Sequence, residues 1–337
     1  MIPVQPFVIA EIGVNHNGSI ETAKQLIDKA KALGANAVKF QTFRASSLAS
    51  PDTPKVAYQE RDRGSASHRE MLSRLELSLR DHHSLVDFCA ARDVEFMSTP
   101  YGVEEVEILQ SLEVQRIKTA SADIVDLPLH EAIAATGLPV LISTGMASTE
   151  EIQAAIDIYP DPLPTITLLH AVSKYPTPEN EANVTRMVAL AARFGLPVGY
   201  SDHTESWFAA AAATALGARV IEKHFTLNKT WEGPDHRASA DPESFRDMVE
   251  AIRRVSSALG SGESVLQPEE SQMARVSRKS LHLANDIPAG HVVAANDLVL
   301  MRPGTGIGWS ERSRVIGKCA RRALQSGEMV RLQDLDV

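Results

Sequence analysis

Two histidines sit at the ends of two successive apolar runs, Pro197-Val-Gly-Tyr-Ser-Asp-His203 and Val220-Ile-Glu-Lys-His-Phe225. A run that is apolar for several residues and then turns to Ser-Asp-His or Glu-Lys-His reads as a buried parallel strand delivering polar groups to the mouth of a barrel. Neutral imidazoles on neighbouring strand ends can hold one divalent cation and leave positions open for substrate or water. A lone histidine more often bonds to backbone at the start of a loop, but the paired strand context favours a metal site here. The other runs end in the same way. Their ends carry Glu11 with Asn15 and His16, Lys39 and Gln41, Thr99, Lys118 with Ser121 and Asp123, Ser143 and Thr144, His170, Ser201 and Glu222. Lys39 and Lys118 among Thr99, Ser121, Ser143 and Ser201 form a set of cationic and hydroxyl donors suited to phosphate. The rival reading is an imine-forming lysine. Two lysines among several hydroxyls tilt the reading toward phosphate, with a salt bridge inside the barrel mouth as the lesser alternative for either lysine alone.

Elements must bring these residues together. Apolar runs at 8–13, 37–42, 94–100, 116–121, 139–145, 165–171, 197–203 and 220–226 alternate with helical patterns such as 20–33, 104–112, 150–158, 207–216 and 242–259. Thr149-Glu-Glu-Ile and Asp241-Pro-Glu-Ser read as helix starts, an N-cap followed by acids or by proline in the first turn. Eight βα units predict a (β/α)8 TIM barrel over residues 1–265, a length close to the roughly 250 residues usual for that fold. The connection 43–79 is long for a turn, and reads equally as a solvated excursion or a substrate lid.

Beyond Leu259 the composition changes to Gly260-Ser-Gly-Glu-Ser and Gln267-Pro-Glu-Glu-Ser, so residues 266–277 read as a linker. A small unit over 278–337 contains an echo of itself. Ile287-Pro-Ala-Gly290, Val293 and Asp297-Leu298 recur at the same spacing as Leu324-Gln-Ser-Gly327, Val330 and Asp334-Leu335. About 60 residues is marginal for independent stability, which favours docking on the barrel or on a partner subunit.

Charge narrows the partners. A net charge of −9 and a pI near 5.7 argue against nucleic acid or an anionic membrane surface, which need clustered Lys and Arg. Cys89 and Cys319 are the only cysteines, so a reducing compartment without a disulfide framework is expected. The opening residues lack a basic leader and no apolar run reaches about 18 residues, so a cytoplasmic location is expected.

The motifs Glu11-Ile-Gly-Val-Asn-His-Asn-Gly18, Val38-Lys-Phe-Gln-Thr42, Ser98-Thr-Pro100, Ile142-Ser-Thr-Gly-Met146, Tyr175-Pro-Thr-Pro178, Tyr200-Ser-Asp-His-Thr204, Glu222-Lys-His-Phe225 and Gly233-Pro-Asp-His236 together resemble the sialic acid synthase family. From Arg278-Lys-Ser-Leu onward, including Met301-Arg-Pro-Gly304, the chain resembles that family's small, β-rich antifreeze-like (SAF) domain. The resemblance covers essentially the whole chain, in order. It implies condensation of phosphoenolpyruvate with an N-acyl hexosamine, N-acetylmannosamine or a 2,4-diacetamido-trideoxyhexose, to a nine-carbon 3-deoxy-2-ulosonic acid and phosphate. The cofactor implied is a divalent metal, manganese first, with magnesium or cobalt as alternatives.

Carried over by residue, His203 and His224 hold the metal, Glu11 handles the water proton, and Lys39, Thr99, Lys118, Ser121, Ser143 and Ser201 take phosphoenolpyruvate. Ser173 joins that set, although relatives carry Asn there. Gln41, Tyr175 and Asp235 face the sugar, as does Asp123, where some relatives carry Glu. Arg302 reaches the N-acyl group from the partner's small domain in a domain-swapped homodimer. Three other readings remain: a class I aldolase using Lys39 or Lys118, a synthase of eight-carbon sugar acids from a phosphorylated pentose, and a non-enzymatic tail that binds ice or glycan.

Overall fold

The computed structural model describes residues 5–54, 67–160 and 166–336. The apolar runs become eight parallel strands, β1 (Phe7–Gly13), β2 (Ala37–Thr42), β3 (Glu95–Pro100), β4 (Ile117–Thr119), β5 (Val140–Ser143), β6 (Ile166–Ala171), β7 (Val198–Asp202) and β8 (Val220–His224). Hydrogen bonding orders them β3-β2-β1-β8-β7-β6-β5-β4, and β3 also contacts β4, which closes the sheet into the expected barrel. Residue 165, the first of the sixth predicted run, and residues 55–66 of the long connection lie outside the described residues.

Strand alternation layers the barrel. One face of each strand packs outward on helices, as Val8, Ala10 and Ile12 do with Ala23, Leu26 and Ile27 of the helix Ile20–Ala32. Inside, Ile9, Ala37, Met97, Leu141, Leu169 and Val220 form an apolar floor. Two residues further along five of these six strands stand Glu11, Lys39, Thr99, Ser143 and Glu222, the sixth having Ala171, so the polar layer follows the floor by the period of the strand. Register levels it, pairing Glu11 with both Lys39 and His224, and Ser201 with Glu222. Gly199 fits where its neighbours crowd it, since a Cβ there would lie 2.6 Å from the Val220 carbonyl oxygen and 2.6 Å from Leu169.

Local departures have local causes. The fourth run stops at Thr119 because the chain turns into a 3-10 helix over Ser121–Val125. The helix Thr149–Ile156 starts one residue earlier than read: Ser148, not Thr149, caps it, accepting from the Glu151 amide while Glu151 accepts from the Ser148 amide. The helix Pro242–Leu259 has the predicted bounds, with the Asp241 side chain accepting from the Ser244 amide.

The chain divides into two compact units, Met1–Gly262 and Glu263–Val337. The segment read as a linker carries the helix Pro268–Ser277, started by proline and by a Glu270 carboxylate accepting from the Gln267 amide. The second unit pairs β9 (Ser280–Leu283) antiparallel with β10 (Leu298–Met301). Its echo is structural. Ile287, Val293 and Leu298 of one copy and Leu324, Val330 and Leu335 of the other are all buried in one cluster, Ile287 bridges to Leu324, and Gly290 and Gly327 share a left-handed φ of +81° and +78°.

Candidate active site

A cavity of about 640 Å³ opens at the C-terminal ends of the strands. At its base four buried charged side chains form one network. The Lys39 ammonium lies 2.7 Å from Glu11 and 3.7 Å from Glu222, and donates to the Thr99 hydroxyl at 2.9 Å. Lys118 lies 3.4 Å from Glu222 and donates to the Thr119 carbonyl at 3.0 Å. Ser201 donates to Glu222 at 2.8 Å, and Gln41 to Glu11 at 3.2 Å.

The two carboxyls differ in state. Burial alone would raise both. At Glu222 the charges of Lys118 and Lys39 outweigh burial and hold the carboxyl at about 2. At Glu11 burial prevails over Lys39, the Glu222 charge adds to it, and the carboxyl is raised to about 7. Burial lowers Lys118. For Lys39 the two carboxylates overcome burial and raise it. Two lysines therefore share one firmly ionised partner, and the pole can take an added anion.

The histidines stand beside this pole, with ring centroids 5.7 Å apart. His203 donates from Nδ1 to the Val172 carbonyl at 2.6 Å, which leaves Nε2 as the free lone pair, 3.5 Å from the Ser201 hydroxyl. The backbone bond weighed as an alternative to metal binding thus orients the ring. His224 keeps a buried Nδ1 without a hydrogen bond, 3.9 Å from an Asp235 oxygen. Burial lowers both rings, His224 to about 3 with help from His203 and Lys39, so both are neutral imidazoles at pH 7. That is the protonation state a metal ligand needs. Among the described residues no group of three His, Cys, Asp or Glu side chains is arranged to hold a metal. The pair fits a cation that takes its remaining ligands from water and substrate. Tyr175 packs over both rings, with centroids 4.2 Å from His203 and 5.7 Å from His224.

Hydroxyls line the wall from the fourth to the seventh strand. Ser121, Ser143, Ser173 and Ser201 all border the cavity. Gly145 donates its amide to the Ser121 hydroxyl at 3.0 Å, and a Cβ at this glycine would fall 2.6 Å from the Ser173 hydroxyl and 2.7 Å from that of Ser121. The Ser121 and Ser173 hydroxyls thus close on Gly145 and leave no room for a side chain there.

Glu11, Lys39, Gln41, Thr99, Lys118, Tyr175, Asp235 and the two histidines, all expected at the site, line the same cavity. Asp123 does not line it. It sits on the turn Ser121–Val125, and burial with the nearby Asp126 raises its carboxyl to about 6 despite Lys118. Arg302 belongs to the second unit, where its Nε donates to the Ser277 carbonyl at 3.0 Å.

Two features had no role assigned from sequence. Glu222 joins both lysines, and its signal was alternation with His224 on one strand face. Lys223, on the opposite face, lies 2.7 Å from Asp202 and donates to the carbonyls of Thr204 and Ser206, tying down the turn after His203. Among the described residues no helix is long and apolar enough to cross a membrane.

Comparison with known proteins adds independent findings. The NeuB family model matches residues 26–264, and the SAF domain model residues 278–336. An N,N'-diacetyllegionaminic acid synthase of Legionella pneumophila is 42% identical over 95% of this chain and 92% of its own. A pseudaminic acid synthase of Helicobacter pylori is 34% identical over 98% of each. A solved N-acetylneuraminic acid synthetase of Leptospira borgpetersenii, in complex with citrate, superposes with a TM-score of 0.71 at 32% identity, over 80% of this chain and 90% of that one.

Proposed function

This chain belongs to the NeuB family, with a SAF domain at its C-terminal end, and from that premise we propose that it condenses phosphoenolpyruvate with an N-acyl hexosamine to a nine-carbon 3-deoxy-2-ulosonic acid. It is a condensing enzyme of the sialic acid synthase type. The observation that carries the reading is the juxtaposition, in one cavity, of a two-lysine pole sharing one ionised carboxylate with a pair of neutral imidazoles.

Lys39 and Lys118, with Thr99, Ser121, Ser143, Ser173 and Ser201, hold the enol phosphate and fix the face presented by C3. His203 and His224 would hold a divalent metal, manganese first and magnesium or cobalt as alternatives, which when bound would supply Lewis-acid polarisation of the acceptor's open-chain aldehyde. C3 attacks that aldehyde carbon and a C–C bond forms, with the electron pair moving to the aldehyde oxygen, which is protonated. Positive charge develops at C2. Water adds there, and Glu11 takes its proton, as a carboxyl raised to about 7 is able to do near neutral pH. The tetrahedral intermediate expels phosphate by C–O cleavage, and the lysines stabilise the leaving anion. Gln41, Tyr175 and Asp235 orient the sugar.

The likeness to the Legionella protein favours a 2,4-diacetamido-trideoxyhexose over N-acetylmannosamine as acceptor. The assembly proposed is the homodimer implied by the family resemblance, and sedimentation as a monomer at assay concentration would remove it. The reaction is tested by following phosphate release from phosphoenolpyruvate with manganese, offering both acceptors side by side with an EDTA control. Metal-dependent release with a sugar present supports the reading, and no release with any acceptor overturns it.

A further inference from the structure

One wall of the cavity is apolar. Around the barrel, the sector after the first three strands contributes Val14, Leu48, Ala49, Met71, Leu72 and Leu75, and these side chains form part of a cluster separate from the main core. The hydroxyl wall and the imidazoles lie in the sectors of the fourth to eighth strands, and beside the apolar residues only Thr53 and His68 of the same connection border the cavity among the described residues. Met71 and Leu72 sit on the helix His68–Ser73, whose start is set by Ser67 accepting from the Glu70 amide. Met71 and Leu75 also border a second cavity of about 150 Å³, shared with Asn17, Arg74, Glu232 and Pro234.

We propose that this wall is the subsite for the apolar groups of the acceptor sugar, its deoxy methyl and the methyl of a second N-acyl group, and that Met71 selects for them. The inference rests on the condensing activity proposed above. With the enol phosphate on the lysines, the reacting aldehyde at the imidazoles and Gln41, Tyr175 and Asp235 on the sugar's polar groups, its far end extends along the remaining wall. On the side chains of Met71, Leu72 and Leu75 themselves a hydroxyl loses its water and finds no hydrogen-bonding group, whereas a methyl group gains contact and loses nothing. A hexose with its 6-hydroxyl intact is thereby disfavoured. The occupant that matches is a 6-deoxy sugar with two acylamino groups.

The test compares kcat/KM for a 2,4-diacetamido-trideoxyhexose, its N-formyl analogue and N-acetylmannosamine, in the unaltered enzyme and in Met71→Gln and Met71→Ala. Removal of one acyl methyl should lower kcat/KM by about tenfold, the scale of one hydrocarbon group in a fitted pocket. Met71→Gln should shrink the preference over N-acetylmannosamine by a similar factor with the KM for phosphoenolpyruvate unchanged. Met71→Ala, which frees space on this wall, should raise relative activity on an acceptor with a longer acyl chain. Phosphate release that proceeds with the same sugar preference in all three proteins overturns this inference alone. An unaltered enzyme that does not distinguish the formyl from the acetyl sugar does so without any variant having to fold. Absence of release with every sugar removes the condensing reading and this inference with it.

Discussion

In the barrel unit Lys39, Lys118, Glu11 and Glu222 meet out of water, whereas in the second unit the pairs Arg321 with Asp336 and Arg322 with Glu328 lie on the surface. The second unit's order comes instead from an apolar repeat, with Ile287, Val293 and Leu298 set against Leu324, Val330 and Leu335. Charge removed from solvent is held in place only by its partners, and it interacts strongly with an arriving anion. Charge in water is screened, and contributes little to either fold or ligand. The chemistry of this chain accordingly lies where burial makes ions expensive, and the small unit relies on packing.

The comparison is broken most sharply at Lys118. Lys118→Met leaves Glu222 buried with one cation fewer, and kcat/KM for phosphoenolpyruvate should fall by about a thousandfold, the scale of a lost electrostatic contact in a water-poor site. A loss below tenfold in a phosphate-release assay would place the phosphate elsewhere. Next, Leu298→Ala and Leu335→Ala occupy equivalent places in the repeat. Each should destabilise the second unit by about 2 to 5 kcal/mol, read by chemical denaturation, and markedly unequal losses would dissolve the equivalence. Gly145→Ala tests the hydroxyl wall at smaller amplitude. Its methyl group must displace the Ser121 and Ser173 hydroxyls, so KM for phosphoenolpyruvate should rise by about tenfold while that of the sugar holds. A rise confined to the sugar would reassign that wall. The smallest effect is expected at Arg321→Ala, where a pair exposed on both sides should leave the melting temperature unmoved, and a clear drop would show a surface charge carrying the fold.

Much of the site was legible because strands alternate. Ile9 and Glu11, Ala37 and Lys39, or Val220 and Glu222 are two residues apart, and the step from apolar floor to polar layer is written along each run. Where the period broke, the local structure differed from the strand that was read. Asp123 was read at a strand end, yet it stands on a 3-10 turn that begins at Ser121, near Lys118. The residues taken for a linker held a capped helix, since Pro268 and Glu270 are start signals as well as loop composition.

By itself the sequence determined the number and polarity of the strands, the pairing of His203 with His224 on successive strand ends, and the repeat in the second unit. These follow from local periodicity and from glycine and proline at turns, all properties of a few consecutive residues. Tertiary structure alone decided that Lys39 and Lys118 share Glu222, that His203 presents Nε2 because Val172 accepts from Nδ1, and that Val14, Leu48 and Met71 meet in one wall. Those contacts join residues tens of positions apart. Register and barrel closure set their distances, and no stretch of sequence short enough to be read locally contains both partners.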